Sequence, residues 1–377
     1  WSPENSTQQN DRLFCLSVRS GFDALLSALN FEPGDEILVS AITIHGMVRI
    51  ITEHHLVTIP IDIDTDHLTP QLNAVDQAVS HRTKAILIAH LFGSRMPMEP
   101  ILRFAQAHNL LVIEDCAQAY TGDGYWGHPQ SDISLFSFGP IKTNTALAGG
   151  ILQFREPSLR NAIHQQQQQW PLQNQQQFLK RIGKYAFLKF LSYRLTYSLF
   201  VRLCSLLKTN HDTVISNSVR GFPGRDFFNK IRQRPSTALL ALLNRRLRRV
   251  DPSRISARTK IARTLIAQAP TLKIPGHLAA KHTYWVFPML CSNPTQLMHY
   301  LWRHGFDATQ GGSSLYAVEP PANRPELLPI QAQKIFQQLL YLPCYAALSP
   351  KDIERLAIAL KTYSQQNSDQ NPSDSPA

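Results

Sequence analysis

Short apolar runs alternate with amphipathic stretches over the first 155 residues, at a spacing that fits strands followed by helices. Residues 13–18 read as a strand and 21–29 as a helix. Buried strands follow at 36–39, 56–63, 85–90 and 110–114, with helix-like stretches such as 70–79 and 98–108 between them. Two further strands, 132–138 and 150–154, flank a loop. Strand–helix alternation of this kind builds a parallel α/β sheet.

The pattern changes after residue 160. Two glutamine runs, 165–169 and 173–177, surround Trp170 and Pro171 as a low-complexity polar stretch. A long helix over 178–207 mixes aromatics with cations. Residues 210–229 read as loop, and 235–250 as a helix ending in Arg245, Arg246, Arg248 and Arg249. The last third is α+β, with a strand at 284–291 and helices at 294–304 and 350–363. Polar residues after 364 predict a disordered tail. The expected organisation is a large domain over 1–160, a basic helical insertion over 161–253, a small α+β domain over 254–364 and a tail over 365–377.

Composition narrows the class. With 377 residues, 43% apolar and 17% charged, the chain is globular and long enough for a large core. No run of about 18 apolar residues escapes a charge, so no membrane-spanning helix is expected. The stretch 1–11 has no signal-peptide pattern, and it opens on Trp1 rather than Met, which leaves room for a natural N-terminus upstream. Five scattered cysteines with no CxxC argue for a reducing compartment and against a disulfide framework or a zinc site.

The net charge of +11 is local: residues 180–260 hold 19 Lys or Arg against three acids, and the remaining 19 basic and 24 acidic residues leave −5 elsewhere. Three readings of this basic segment stand side by side. It is a solvated or dimer-facing helix with snorkelling cations, an interfacial helix over 178–207 suited to anionic lipid headgroups, or a phosphate-binding stripe. No nucleic-acid motif accompanies it, so no nucleic-acid partner is expected. Arginine forks also suit the diphosphate of a nucleotide-linked substrate.

Candidate chemistry concentrates in residues 112–150. Asp115 closes a predicted buried strand, which is where α/β sheets place ligands. Lys142 lies 27 residues on, in a loop between two apolar strands, where desolvation lowers its pKa and makes it a nucleophile. Such a pair suits pyridoxal 5'-phosphate: the lysine takes the aldehyde, and the acid keeps the pyridine nitrogen protonated. Ser137 can bond the phosphate, and Gly21, at a predicted helix start, offers backbone N–H groups to the same anion. His54, His55 and His90 have no carboxylate or His partner at ligand spacing and read as structural, and Cys116 reads as buried packing.

Ordered motifs carry a resemblance. Pro33-Gly34-Asp35-Glu36, Asp62-Ile63-Asp64, Arg82-Thr83-Lys84-Ala85-Ile86, His90-Leu91-Phe92-Gly93, Glu114-Asp115-Cys116-Ala117-Gln118-Ala119 and Ser137-Phe138-Gly139-Pro140-Ile141-Lys142 occur in sequence, and Tyr341-Leu342-Pro343-Cys344-Tyr345 follows near the end. The chain resembles the DegT/DnrJ/StrS sugar aminotransferases. The resemblance implies a fold-type I pyridoxal-phosphate enzyme, α/β, with a mainly parallel seven-stranded sheet in the large domain and a smaller α+β C-terminal domain. By the same resemblance, Lys142 matches the Schiff-base lysine, Asp115 the pyridine-nitrogen acid, Gln118 the residue near the cofactor's 3-hydroxyl, and Ser137 a phosphate ligand. Ser20, Gly21 and Phe22 match a Ser-Gly-Thr phosphate turn. Retention of lysine rather than histidine favours transamination over dehydration.

The resemblance further implies a cytoplasmic homodimer that moves an amino group from glutamate or glutamine to a nucleotide-linked keto sugar, for a surface polysaccharide or glycosylated metabolite. Departures fall mostly around the substrate. Phe22 replaces Thr, Ile44 beside His45 replaces the aromatic that stacks on the cofactor, and Ala148 replaces an acid. Arg232-Gln233-Arg234 stands for an Asn-x-Arg motif supplied by the partner subunit, and the segment before the phosphate turn is short for the family. A pyridoxal-phosphate enzyme of other chemistry (a lyase, or one of amino-acid metabolism) and a non-catalytic, membrane-associated protein remain the alternatives.

Overall fold

The computed structural model describes residues 11–209, 211–212, 214–215, 226–311 and 314–368. Seven strands form one sheet: β1 (Arg12–Cys15), β2 (Glu36–Ser40), β3 (Val57–Ile61), β4 (Thr83–Ala89), β5 (Leu111–Asp115), β6 (Ile133–Ser137) and β7 (Gly150–Phe154). Their spatial order is β1-β7-β6-β5-β4-β2-β3. Only β7 runs against the rest, pairing antiparallel with both β1 and β6.

Period-two burial explains why this sheet is covered on both sides. Ile37, Val39, Ala85, Leu87 and Ile113 belong to one core, while Leu38, Ile86, Ile88 and Val112 belong to another. Helices Val18–Ala28, His45–Glu53 and Pro157–Gln168 cover the first face. Helices Leu72–Ala78 and Glu99–Ala107 cover the second. Each fully buried Leu or Ile contributes about 1.5–3 kcal/mol relative to exposure. This is the fold-type I α/β architecture expected from the sequence.

A separate core lies toward the C-terminus. Helices Pro252–Gln268, Pro294–Arg303 and Pro350–Ser368 pack around an antiparallel ribbon of Phe287–Leu290 and Leu339–Leu342.

Five expectations are corrected. The expected tail is helical through Ser368, so 365–368 continue the last helix, and 369–377 lie outside the described residues. The glutamine runs are helical in large part. Pro at the first turn starts Pro157–Gln168, and the Asn174 side chain caps Gln175–Leu191 by accepting the Gln176 N–H at 2.8 Å. The long helix over 178–207 is two, Gln175–Leu191 and Arg194–Leu206. Tyr193 adopts extended backbone, and the Thr196 hydroxyl donates back to the Phe190 carbonyl at 2.8 Å, closing the break. The strand expected at 284–291 is interrupted: Tyr284 takes φ +48°, and pairing begins only at Phe287. Of the loop expected at 210–229, residues 227–229 instead open the Phe227–Ile231 helix, and most of the rest lies outside the described residues.

Candidate active site

A cleft with a cavity volume of about 150 Å³ opens at the C-terminal ends of the parallel strands. Leu16 to Arg19 reach it from the end of β1, Ala89 from β4, Asp115 from β5 and Ser137 from β6. Lys142 enters on the loop between β6 and β7.

That loop is held at several points. The Lys142 N–H donates to the Gly139 carbonyl at 3.1 Å, the Ala146 N–H to Phe138 at 2.9 Å, and the Gly149 N–H to Leu16 at 2.8 Å. Gly150 is required by close approach, because a Cβ there would stand 2.5 Å from the backbone of Ser17 and Val18. The loop and the first turn of the Val18–Ala28 helix are thereby pressed together. Lys142 Nζ lies 4.3 Å from the centre of the Trp285 ring, and the Trp285 indole N–H donates to the Ile141 carbonyl at 2.9 Å. The interrupted strand at Tyr284 is what delivers Trp285 to the cleft.

Burial pushes the Lys142 ammonium down to about 8; Asp115 opposes that shift and Arg19 adds to it. Burial raises the Asp115 carboxyl, against the Ala117 N–H that it accepts at 2.9 Å and the nearby Lys142 and His90. Gln118 accepts the Phe92 N–H at 2.7 Å, which fixes its side chain at the rim of the same cleft.

Beneath Asp115 lies a largely buried polar cluster that sequence reasoning divided into separate structural residues. Glu114 accepts from His90 Nε2 at 2.8 Å, the His128 N–H at 2.7 Å, the Ser131 hydroxyl at 2.8 Å and the Tyr125 hydroxyl. His90 Nδ1 accepts the Met96 N–H at 3.2 Å, which puts the ring proton on Nε2. Cys116 also turns its thiol to Glu114, at 3.2 Å. His90, Glu114 and Cys116 could converge on a metal, yet their ligand atoms are engaged in this network, and we read it as the support that fixes β5 and Asp115.

Burial would raise the Glu114 carboxyl, but the donors around it, His90 first, hold it well below the usual range. Its stabilisation is therefore present above the ordinary carboxylate pKa and is lost as pH falls below it. Glu114→Ala strands several buried donors and is expected to lower unfolding stability by about 3 kcal/mol or more. Denaturant titration checks this, and a loss under about 1 kcal/mol would contradict the network reading.

Lys142, Asp115, Gln118 and Ser137 are brought together in one cleft. Ser20, Gly21 and Phe22 are not. The helix begins earlier, with the Ser17 hydroxyl accepting the Ser20 N–H at 3.2 Å, and the Gly21 N–H is spent on the Ser17 carbonyl at 3.1 Å. Phe22 is buried in the core, so Ser17, Val18 and Arg19 face the cleft in place of the predicted turn. Arg232 forks onto the buried Asp23 of its own chain at 2.9 and 3.0 Å.

The cleft also contains residues that no sequence signal singled out. Arg181 and Tyr185 enter from the Gln175–Leu191 helix, so the basic segment forms a wall of the site. Arg19 and Arg181 are near enough to oppose each other's charge, and burial with that repulsion pushes Arg19 down to about 10. Three cationic side chains and one acid thus share a partly desolvated cleft, an arrangement suited to a dianion. With a capped helix N-terminus and a nucleophilic lysine beside a carboxylate, the donor set fits pyridoxal phosphate.

The sequence pattern of the DegT/DnrJ/EryC1/StrS aminotransferase family matches residues 9–192. A GDP-perosamine synthase of Escherichia coli O157:H7 is 36% identical over 160 residues, covering 40% of this chain and 43% of that protein. A UDP-N-acetyl-3-dehydro-alpha-D-glucosamine 3-aminotransferase of Acidithiobacillus ferrooxidans is 36% identical over 140 residues, 35% of this chain and 37% of its own. The chain thus matches less than half the length of these relatives.

Among solved structures, the aminotransferase TlmJ of Streptoalloteichus hindustanus superposes with a TM-score of 0.67 at 19% identity, over 95% of this chain and 87% of that one. NtdA of Bacillus subtilis, solved with bound cofactor PMP, gives 0.65 at 19% identity, over 94% and 73%. At these identities the likeness shows the fold. Over residues 9–192, just under half of its length, the chain is similar to the DegT/DnrJ/EryC1/StrS aminotransferase family.

Proposed function

We propose that the protein is a pyridoxal-phosphate-dependent aminotransferase acting on a nucleotide-linked keto sugar, with glutamate or glutamine as amino donor. The observation that carries this reading is the meeting of Lys142, Asp115 and the cationic pair Arg19 and Arg181 in one cleft at the strand ends. The names of the relatives, which act on GDP- and UDP-linked sugars, support the substrate class. Five free cysteines support a reducing, cytoplasmic location, and a homodimer is part of the same reading.

Pyridoxal phosphate, when bound, supplies the electron sink that transamination needs. The chain supplies the rest. Lys142 Nζ, neutral in an appreciable fraction near neutral pH, is the nucleophile that would hold the cofactor's aldehyde and, when free, the base that would carry a proton. Asp115 presents a carboxylate to a cationic ring nitrogen. Gln118 and Ser137 offer polar contacts at the rim, and the first-turn amides after Ser17, with Arg19 and Arg181, bind the phosphate. The apolar wall of Ile42, Ile44 and Met47 limits water at the reacting end.

Arg19→Ala and Arg181→Ala are each expected to weaken pyridoxal phosphate binding by about tenfold, the loss of a charge-assisted contact, while leaving pyridoxal, which lacks the phosphate, unchanged. Absorbance titration of the two compounds checks this, and equal losses for both would remove the arginines from the phosphate role. The substrate class is tested by product analysis with glutamate and a panel of nucleotide-linked keto sugars set against simple keto acids. Amination of the keto acids alone would sink the sugar assignment.

A further inference from the structure

The Arg194–Leu206 helix lies in a segment, 157–211, that contains no acidic residue. One face holds it to the body. The Tyr197 hydroxyl donates to Asp307 at 2.9 Å, Cys204 is buried, and His211 just beyond packs on Trp302 with ring centres 4.7 Å apart. The other face exposes a stripe of leucines with Arg202 at its edge. At about 100° per residue, Leu195, Leu199 and Leu206 fall within about 40° of one another, with Leu203 beside them. Their exposures are 85%, 70%, 81% and 54%. A water-facing helix normally turns its polar side outward, and this one is reversed.

Exposed cations belong to the same segment: Lys180, Lys184 and Lys189 on the preceding helix, and Arg202 and Lys208 on and beyond this one. We propose that the outward face of the Arg194–Leu206 helix docks on the surface of an anionic lipid bilayer. The leucines enter the boundary between headgroups and acyl chains, while the lysines and arginines extend their stems to the phosphates. Charge selects this occupant over a second copy of the chain. A two-fold contact through this face would set the same cations against each other, with no acid in either copy's segment to offset them. Among the described residues no helix is long and apolar enough to cross a membrane, so the helix lies on the bilayer. This inference rests on the surface alone and stands or falls apart from the reading of the cleft.

The test uses the full chain loaded with pyridoxal phosphate and sedimented with vesicles of phosphatidylcholine, alone or mixed with phosphatidylglycerol. Binding to the mixed vesicles is expected, to fall with added salt and to be lost in a Leu195→Glu, Leu199→Glu, Leu206→Glu variant. Removing charge in Arg202→Ser, Lys208→Ser should weaken binding about fivefold for each cation, from roughly 1 kcal/mol apiece. Unchanged cofactor absorbance and melting show that the variants are folded. Equal binding to both vesicle types, or binding that survives the triple substitution, would overturn the proposal. So would a wild-type chain that binds neither vesicle but loses an oligomer in sedimentation velocity when the leucines are replaced, because the face would then belong to a second copy.

Discussion

Replacing Lys142 with alanine is expected to abolish the visible absorbance of lysine-bound pyridoxal phosphate and to lower turnover by about 10⁴-fold or more, since nucleophile and proton carrier are lost together. The geometry says why this lysine rather than another. Its loop is tied to Gly139 and Leu16, its ammonium sits against the Trp285 ring, and Asp115 shares the cleft. A lysine at its ordinary pKa of 10.5 is neutral in about one molecule in 3,000 at pH 7, whereas one at about 8 is neutral in about one in ten. Because the neutral amine attacks, attachment of the cofactor to the apo-protein should accelerate as pH rises through about 8 and then level off. A rate independent of pH across that value would show that Lys142 is not the titrating nucleophile. Normal turnover in Lys142→Ala would remove the proposed mechanism altogether.

Asp115→Asn is expected to separate binding from rate. The carboxamide keeps the size and the bond to the Ala117 N–H, so cofactor binding should survive, but it cannot hold a proton on the pyridine nitrogen. A loss of about 10²–10³-fold in kcat, with KM little changed, is the pattern for an electrostatic contribution made in the transition state. The same network predicts that Asp115→Asn leaves stability nearly intact, in contrast to Glu114→Ala. If kcat were unchanged, Asp115 would have no electronic role. If the variant failed to bind cofactor but remained folded, its role would be one of positioning.

Much of this site was legible because it depends on short-range patterns. Alternating apolar runs located all seven strands of the main sheet, and the position of Asp115 at a strand end follows from them directly. The Lys142 loop was marked by two flanking apolar strands and by the Ser137–Lys142 spacing. The helix start was harder. A motif match pointed to Ser20, Gly21 and Phe22, but a helix begins where its cap is made, and Ser17 supplies that cap three residues earlier, which leaves Ser17 to Arg19 lining the cleft.

Residues that reach the cleft from afar left no trace in local pattern. Arg181 and Tyr185 read as part of an amphipathic basic helix, and only the packing of that helix beside the Lys142 loop gives them a place in the site. Trp285 was read within a continuous strand, and the left-handed turn at Tyr284 that frees it is a tertiary effect. The Arg232–Gln233–Arg234 motif illustrates the converse. The resemblance matched it to a motif that serves the partner subunit, and within its own chain Arg232 pairs with Asp23 at 2.9 Å and Arg234 donates to the Trp170 carbonyl at 3.0 Å.

The central claim is that Lys142 holds pyridoxal phosphate in this cleft. The most direct measurement is reduction of the protein with borohydride after addition of pyridoxal phosphate, followed by peptide mapping of the modified lysine. The account predicts one stoichiometric label, on Lys142, reduced in Arg19→Ala and Arg181→Ala at limiting cofactor. A label on another lysine, or none on a folded chain, would contradict it.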